Sequence, residues 1–372
     1  MNYQTAEKLN DIAACIRGDE KVSHLFSKYK EETLPLLEHH GLGTLIYENQ
    51  NLKENSANIE ATIIKEAKAS IAMAVANESL KFGEFTKIVD SLTDAGLDDF
   101  VIFKGWALAY SVYEKPWFRP RTDIDILVEH SEVIAYHELL IANGFKREFA
   151  IEGDLISYQS GYSKPLSQYS TIYIDLHWRV SNRQCIASAF DVKEIIRNAT
   201  QIKGGIPNFK TPSKADSILL ACQHRLGHHH REERLIWLYD IHLLAESFDD
   251  IEWSDFLKKT KKLKLAHLSY DALNSSEALF STEVPRNVIE VLTLQKKEYE
   301  PSALFLNRSL SNWQILKSDV SALDGLLKKC SFIKQTAFPS QEYIKEKMAT
   351  KSAFWGYLKR AYLGFYRMFA ND

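Results

Sequence analysis

The chain has 372 residues, 45% hydrophobic and 12% aromatic, with a formal net charge of −3 and a pI near 6.5. That length calls for two or three domains with ample core, and the near-neutral charge excludes a protein that coats DNA through bulk basicity. Cys15, Cys185, Cys222 and Cys330 form no CxxC pair, so neither a zinc knuckle nor a disulfide framework is expected and a reducing, cytoplasmic setting fits. The N-terminus lacks a basic-then-apolar layout and no apolar run is long enough to span a bilayer, so neither a secretory signal nor a membrane span is expected.

Residues 3–96 carry helical periodicity. Leu9, Ile12, Ala13 and Ile16 recur at three- and four-residue spacing, and Leu34, Leu36 and Leu37 belong to a second helix. Ile63, Ile64, Ala67, Ile71 and Val75 stripe a proline-free stretch over 58–92. His39 and His40 precede Gly41 and Gly43 and read as a helix stop and turn, because no further metal ligand stands nearby.

The pattern changes after the Ala95-Gly96 turn. Residues 100–103 form an apolar strand, Lys104-Gly105 opens a short helix, and a loop carrying Arg119 and Arg121 leads into the strand DIDILV at 123–128. Side chains alternate along a strand, so Asp123 and Asp125 point together while Ile124, Ile126 and Val128 fill the opposite face. Two adjacent anions repel, and a hard divalent cation is the usual remedy. Ser131 is placed to cap a helix that closes at Gly144. Strands are predicted over 145–151 and 155–159, followed by a polar loop rich in Ser and Tyr. The run TIYIDLHWRV at 171–180 alternates again, with Ile172, Ile174 and Leu176 on one face and Tyr173, Asp175 and His177 on the other. Asp175 is thus a third strand-borne carboxylate.

Helical periodicity returns after Pro212. Ser213 or Asp216 is placed to cap the first helix, and Leu235, Leu238, Ile241 and Leu244 stripe the next. His224 and His228 have an i, i+4 spacing that zinc uses, with Asp240 as a possible third ligand. No Glu completes an HExxH pattern, which favours a structural or substrate-contact role for His224 and Asp240. Two to four further helices are predicted to residue 349, among them 253–265 and 334–347, with breaks at Pro285, Pro301 and Pro339. The tail sets Trp355, Tyr357, Tyr362, Phe365, Tyr366 and Phe369 among Lys359, Arg360 and Arg367. Three roles fit it: a helix packed on the body or in a dimer contact, a peripheral membrane helix on anionic lipid, or a base-stacking surface.

Three carboxylates on adjacent strands can hold two Mg2+ (or Mn2+) ions, the arrangement used for in-line displacement at phosphorus. Lys104 and Gly105 at a helix start, with Arg119 and Arg121 beside the acidic pair, supply groups for phosphate. Tyr162 in the polar loop and His224, Arg225 and Asp240 in the helices are the candidates for reading a second substrate.

The run FKGWAL…RPRTDIDILV, with IYIDLHW further on, resembles the nucleotidyltransferase superfamily typified by DNA polymerase β. It is more similar to a bacterial branch in which Lys-Gly replaces the usual Gly-Ser, and LPLLEHHGLGTLIYENQ and H…RL…LYDIHLL look like that branch too. The resemblance implies an α+β fold: a nucleotidyltransferase-type mixed β-sheet core over 97–210, a helical N-terminal region over 1–96, a helical C-terminal domain over 211–350, and a tail helix over 351–372. It implies that Asp123, Asp125 and Asp175 are metal ligands and catalytic, and that Lys104 and Gly105 contact phosphate. The implied reaction is Mg2+-dependent transfer of an NMP from an NTP to a hydroxyl on a small molecule, protein or RNA, with release of pyrophosphate. The contrasting expectation is a catalytically degenerate nucleotide-binding or scaffold protein, against which three intact clustered anions speak.

Overall fold

The computed structural model describes residues 5–49, 61–148, 153–202, 208–229 and 232–369. Five helices come first: α1 (Ala6–Arg17), α2 (Val22–Tyr29), α3 (Thr33–His40), α4 (Gly43–Asn49) and the 34-residue α5 (Ala61–Asp94). Thr5 caps α1 by accepting from the Lys8 N–H, and left-handed Gly18 ends it. Gly41, also left-handed, ends α3, so the His39–His40 pair is a helix terminus, with His40 buried. Residues 58–60 of the expected long helix lie outside the described residues.

The centre of the chain builds a five-stranded sheet. In chain order come β1 (Phe100–Phe103), α6 (Lys104–Ser111), β2 (Asp123–Val128), α7 (Val133–Ala142), β3 (Lys146–Arg147), β4 (Gln159–Pro165) and β5 (Thr171–His177). The spatial order is β1-β2-β5-β4-β3; β2 and β5 run parallel and the other neighbours antiparallel. Helices α8 (Gln184–Ala187) and α9 (Val192–Arg197) follow, then a small pair, β6 (Thr200–Gln201) and β7 (Lys210–Thr211).

Alternation decides what each sheet face does. Ile124, Ile126, Val128, Ile172, Ile174 and Leu176 pack with Phe85 and Ile88 of α5 and Tyr136 and Leu140 of α7 in one buried cluster. On the other face Val101, Phe103 and Leu127 join a second cluster with Leu220, Ile236 and much of the helical remainder. That remainder comprises α10 (Lys214–Gln223), α11 (Leu235–Glu246), α12 (Asp250–Leu263), α13 (Ala266–Phe280), α14 (Arg286–Gln295), α15 (Asn312–Ser321), α16 (Leu326–Ala337), α17 (Gln341–Lys347) and α18 (Ala353–Phe369). Buried residues of α1 to α4 belong to the same cluster as those of α10 to α14, so the helices from both ends pack as one layer. The carboxylates share their face with Leu127. They lie where that layer stops short of the strand starts.

Several local expectations need correction. The strand placed at 155–159 lies instead at β4, inside the stretch expected to be a polar loop, and the strand at 145–151 is reduced to β3, its last residues outside the described ones. Polar composition hid β4, whose backbone pairs with β5 along its whole length. The 334–347 helix is two helices, because Pro339 between α16 and α17 offers no backbone donor to continue the ladder. Six helices, α12 to α17, occupy the region assigned two to four. Among the described residues no helix is long and apolar enough to cross a membrane.

Candidate functional site

Parallel pairing of β2 with β5 sets Asp125 directly beside Asp175. Asp123, two residues back on β2, opens on the same cleft, which encloses about 610 Å³ between the strand starts, the first turn of α6 and helices α10 and α11. Asp125 is buried, whereas Asp123 and Asp175 are half-buried. Gly161 of β4 stands opposite Asp175, and a Cβ there would lie 3.2 Å from Asp175 Oδ1. The other Asp175 oxygen accepts from Gln159 Nε2 at 2.9 Å.

Crowding of anions shows in their proton affinities. Burial, then the charges of Asp125 and Asp123, pushes Asp175 up to about 7. Burial and Asp125 push Asp123 up as well. Asp125 goes the other way: burial works against its charge, but Lys104 and His177 outweigh it and hold the carboxyl well below the usual range. Lys104 Nζ donates to Asp125 Oδ1 at 2.7 Å, and His177 Nε2 lies 2.8 Å from that same oxygen. Burial and the neighbouring ammonium depress His177 to about 4, so its ring is neutral near pH 7.

The turn between β1 and α6 is built to aim Lys104. Its φ is 55°, a left-handed value for a residue with a Cβ, which costs on the order of 1–2 kcal/mol. Gly105, by contrast, is right-handed within α6, and a Cβ there would meet Arg121 and Arg119 only at ordinary contact distances of 3.5–3.6 Å.

Both arginines expected to clamp phosphate have partners already. Arg119 Nε and Nη2 grip both oxygens of Asp240 at 2.7 and 2.8 Å, and Nη1 donates to the Pro120 carbonyl. Arg121 pairs with Glu78 of α5 and donates from Nη1 to the carbonyls of Pro116 and Arg119. They brace the loop ahead of β2 against α11 and α5, and a phosphate would have to displace these bonds. Of the proposed acceptor readers, His224 and Asp240 line the cleft, but Asp240 is held by Arg119 and by Tyr113 Oη at 2.7 Å. Tyr162 does not reach the cleft. Its register opposite Ile174 turns it into the other core, where its Oη meets His137 Nδ1 at 2.9 Å. Arg225 is likewise spent elsewhere, buried against Glu233 and Asp271.

The sequence reading missed other groups at or beside the site. His177 was noted for its face but not as a site residue, although the IDLH alternation that exposed Asp175 also carries it. Arg234, Trp237 and His229 line the far wall, where the His229 and Trp237 rings stack at 4.4 Å. The chain around His224–His228 is π-helical, a distortion frequent at functional sites.

A family model described as "Uncharacterised nucleotidyltransferase" matches residues 28–281, which hold the sheet, the carboxylates and both cleft walls. The chain belongs to that family. No curated protein matches. Among solved structures, JHP933 from Helicobacter pylori is 16% identical, covering 63% of this chain and 93% of its own with a TM-score of 0.32, a likeness that transfers nothing.

Membership of the nucleotidyltransferase family implies divalent metal chemistry, and the residues present fit it. Asp125, Asp175 and His177 bring one ligand atom each within 4.8 Å of one another. Two carboxylates and a neutral imidazole make a mixed oxygen–nitrogen donor set, which suits Mn2+ at least as well as Mg2+. Burial first, and then the neighbouring carboxylates, raise the proton affinity of Asp175, a penalty on its charged form that a cation relieves.

A pH dependence follows. Between the ordinary carboxylate range and about 7, folded Asp175 holds a proton that the unfolded chain has lost, so stability without metal falls as pH rises through that window. A metal competes with the same proton, so Mn2+ affinity rises with pH and levels off once Asp175 is ionised above about 7. Calorimetric Mn2+ titrations on both sides of that value check this; affinity independent of pH contradicts it.

Proposed function

We propose that the chain transfers a nucleoside monophosphate from an NTP to a hydroxyl acceptor and releases pyrophosphate. The observation that carries this reading is the β2–β5 register, which sets Asp125 beside Asp175 at the floor of a cleft in a chain of this family. Asp123, Asp125 and Asp175, joined by His177, are the groups to hold divalent metal. When bound, the metal supplies charge neutralisation at the phosphates and acidifies the attacking hydroxyl. The first turn of α6 offers N–H groups and helix-dipole charge toward an anion. Lys104, released from Asp125, becomes a ligand for phosphate oxygen. The acceptor oxygen forms a bond to the α-phosphorus, the bond to pyrophosphate breaks, and the hydroxyl proton passes to a carboxylate. Asp175, set beside Asp125 at the floor of the cleft, is placed to take it. The wall of Trp237 and His229 offers aromatic faces to a base or acceptor.

One observation favours a second reading. Because Lys104 neutralises Asp125, the ammonium could stand permanently in place of a metal, leaving a nucleotide-binding scaffold without turnover. The test incubates the protein with each labelled NTP, with Mg2+, Mn2+ or chelator, and measures pyrophosphate release and label transfer to fractions of a lysate. Divalent-dependent release supports transfer, whereas NTP binding indifferent to chelator supports the scaffold.

Lys104→Ala separates the two further. In a transferase the substitution removes the competitor for Asp125, so nucleotide-free protein binds Mn2+ roughly tenfold more tightly, while NTP affinity falls. Equal losses for NTP and nucleoside, with unchanged Mn2+ affinity, would make Lys104 structural.

A further inference from the structure

Helix α18 shows two faces with different fates. Its inner face is fixed to α16, α17 and the turn between them. Gly356 is buried so tightly that a Cβ would come 2.3 Å from Ile344 of α17, Tyr357 Oη donates to the Pro339 carbonyl at 2.6 Å, and Arg360 Nη2 donates to the Thr336 carbonyl at 2.9 Å. Its outer face holds Phe354, Trp355, Leu358 and Tyr362, positions that share one side of a helix and are 65%, 64%, 46% and 67% exposed. Because the inner contacts fix the helix, these side chains cannot turn inward. Four neighbouring large apolar groups left in water mark a docking surface.

Charge says what covers it. After Gly325 the chain carries nine Lys and Arg against three Asp and Glu, although the whole chain stands at −3. Lys345, Lys347, Lys351 and Lys359, before and within α18, are exposed. A two-fold contact through this stripe would bring two patches of like charge together. An apolar stripe bearing Trp and Tyr and flanked by lysines is instead the pattern of a helix lying in the headgroup region of an acidic bilayer. We propose that the outer face of α18 docks the protein onto an anionic lipid surface. The proposal does not depend on the transferase reading.

The experiment floats the full-length protein with vesicles of phosphatidylcholine alone, or with one-third phosphatidylglycerol. Binding is expected to the acidic vesicles only and to be released by high salt. Trp355→Glu with Leu358→Glu should abolish it. Lys347→Glu with Lys351→Glu, at exposed positions outside the apolar stripe, should weaken it about fivefold or more per lysine reversed. No flotation overturns the proposal, as does flotation of both variants like the parent. A concentration-dependent dimer in sedimentation velocity, lost in the Trp355 and Leu358 variant, overturns it in favour of a second copy.

Discussion

Asp125→Asn is expected to abolish transfer, by at least about a thousandfold, while the protein stays folded. Asp125 is the one carboxylate shared by the β5 partner Asp175, the Lys104 ammonium and His177. Asparagine keeps its volume and removes its charge. Several kcal/mol of charge stabilisation at the reacting phosphate would disappear with it, and each 1.4 or so is about tenfold in rate. The melting curve separates lost chemistry from lost fold. Ordinary turnover, with divalent dependence intact in the variant, would remove Asp125 from any metal-holding role. The same variant should also loosen Lys104, whose carboxylate partner is then gone.

The second large effect is on stability. Asp240→Ala strands the Arg119 guanidinium, which is buried and bonded to that carboxylate through two nitrogens, and strips Tyr113 of its acceptor. Removing one member of such a buried pair costs about 3–5 kcal/mol. Arg119→Ala should cost a similar amount, and the double variant Arg119→Met, Asp240→Leu should cost less than the sum, because neither charge is then left alone. Urea unfolding measures all three. Had Arg119 been a phosphate clamp, as its place beside the acidic pair indicated, Arg119→Ala would raise KM for NTP and leave the unfolding midpoint unchanged. The two origins of the effect are therefore distinguishable in one set of proteins.

What the sequence disclosed followed from local periodicity. DIDILV and TIYIDLH alternate so cleanly that the buried and open faces of both strands were legible, and Asp123, Asp125 and Asp175 were legible with them. Helix ends were legible where Gly41, Gly96 and Gly144 take left-handed φ. The misses share a cause: each depends on a partner distant in sequence. Tyr162 looks like a loop residue until β4 is paired with β5, after which its parity places it in the core. Arg119 and Arg121 look free until Asp240 and Glu78 arrive from α11 and α5. Arg225 looks like a cleft residue until Glu233 and Asp271 close on it. His177 was passed over because an imidazole after a strand Asp has no periodic signature. Its meaning comes from the oxygen of Asp125 across the sheet.

The parallel pairing of β2 with β5 also bears on how the centre comes into being. Asp125 and His177 stand 52 positions apart, with α7, β3 and β4 emerging between them. Non-local parallel contacts form only after a loop-closure entropy has been overcome, so they come late compared with helices. A nascent chain that ends at β4 therefore carries two aspartates but no centre. Burial of like charges in an unfinished sheet is postponed until β5 arrives, bringing Asp175 and the imidazole together. If the centre holds metal as proposed, the appearance of metal affinity in a refolding chain is a clock for that one strand pairing, separate from the earlier gain of helical signal.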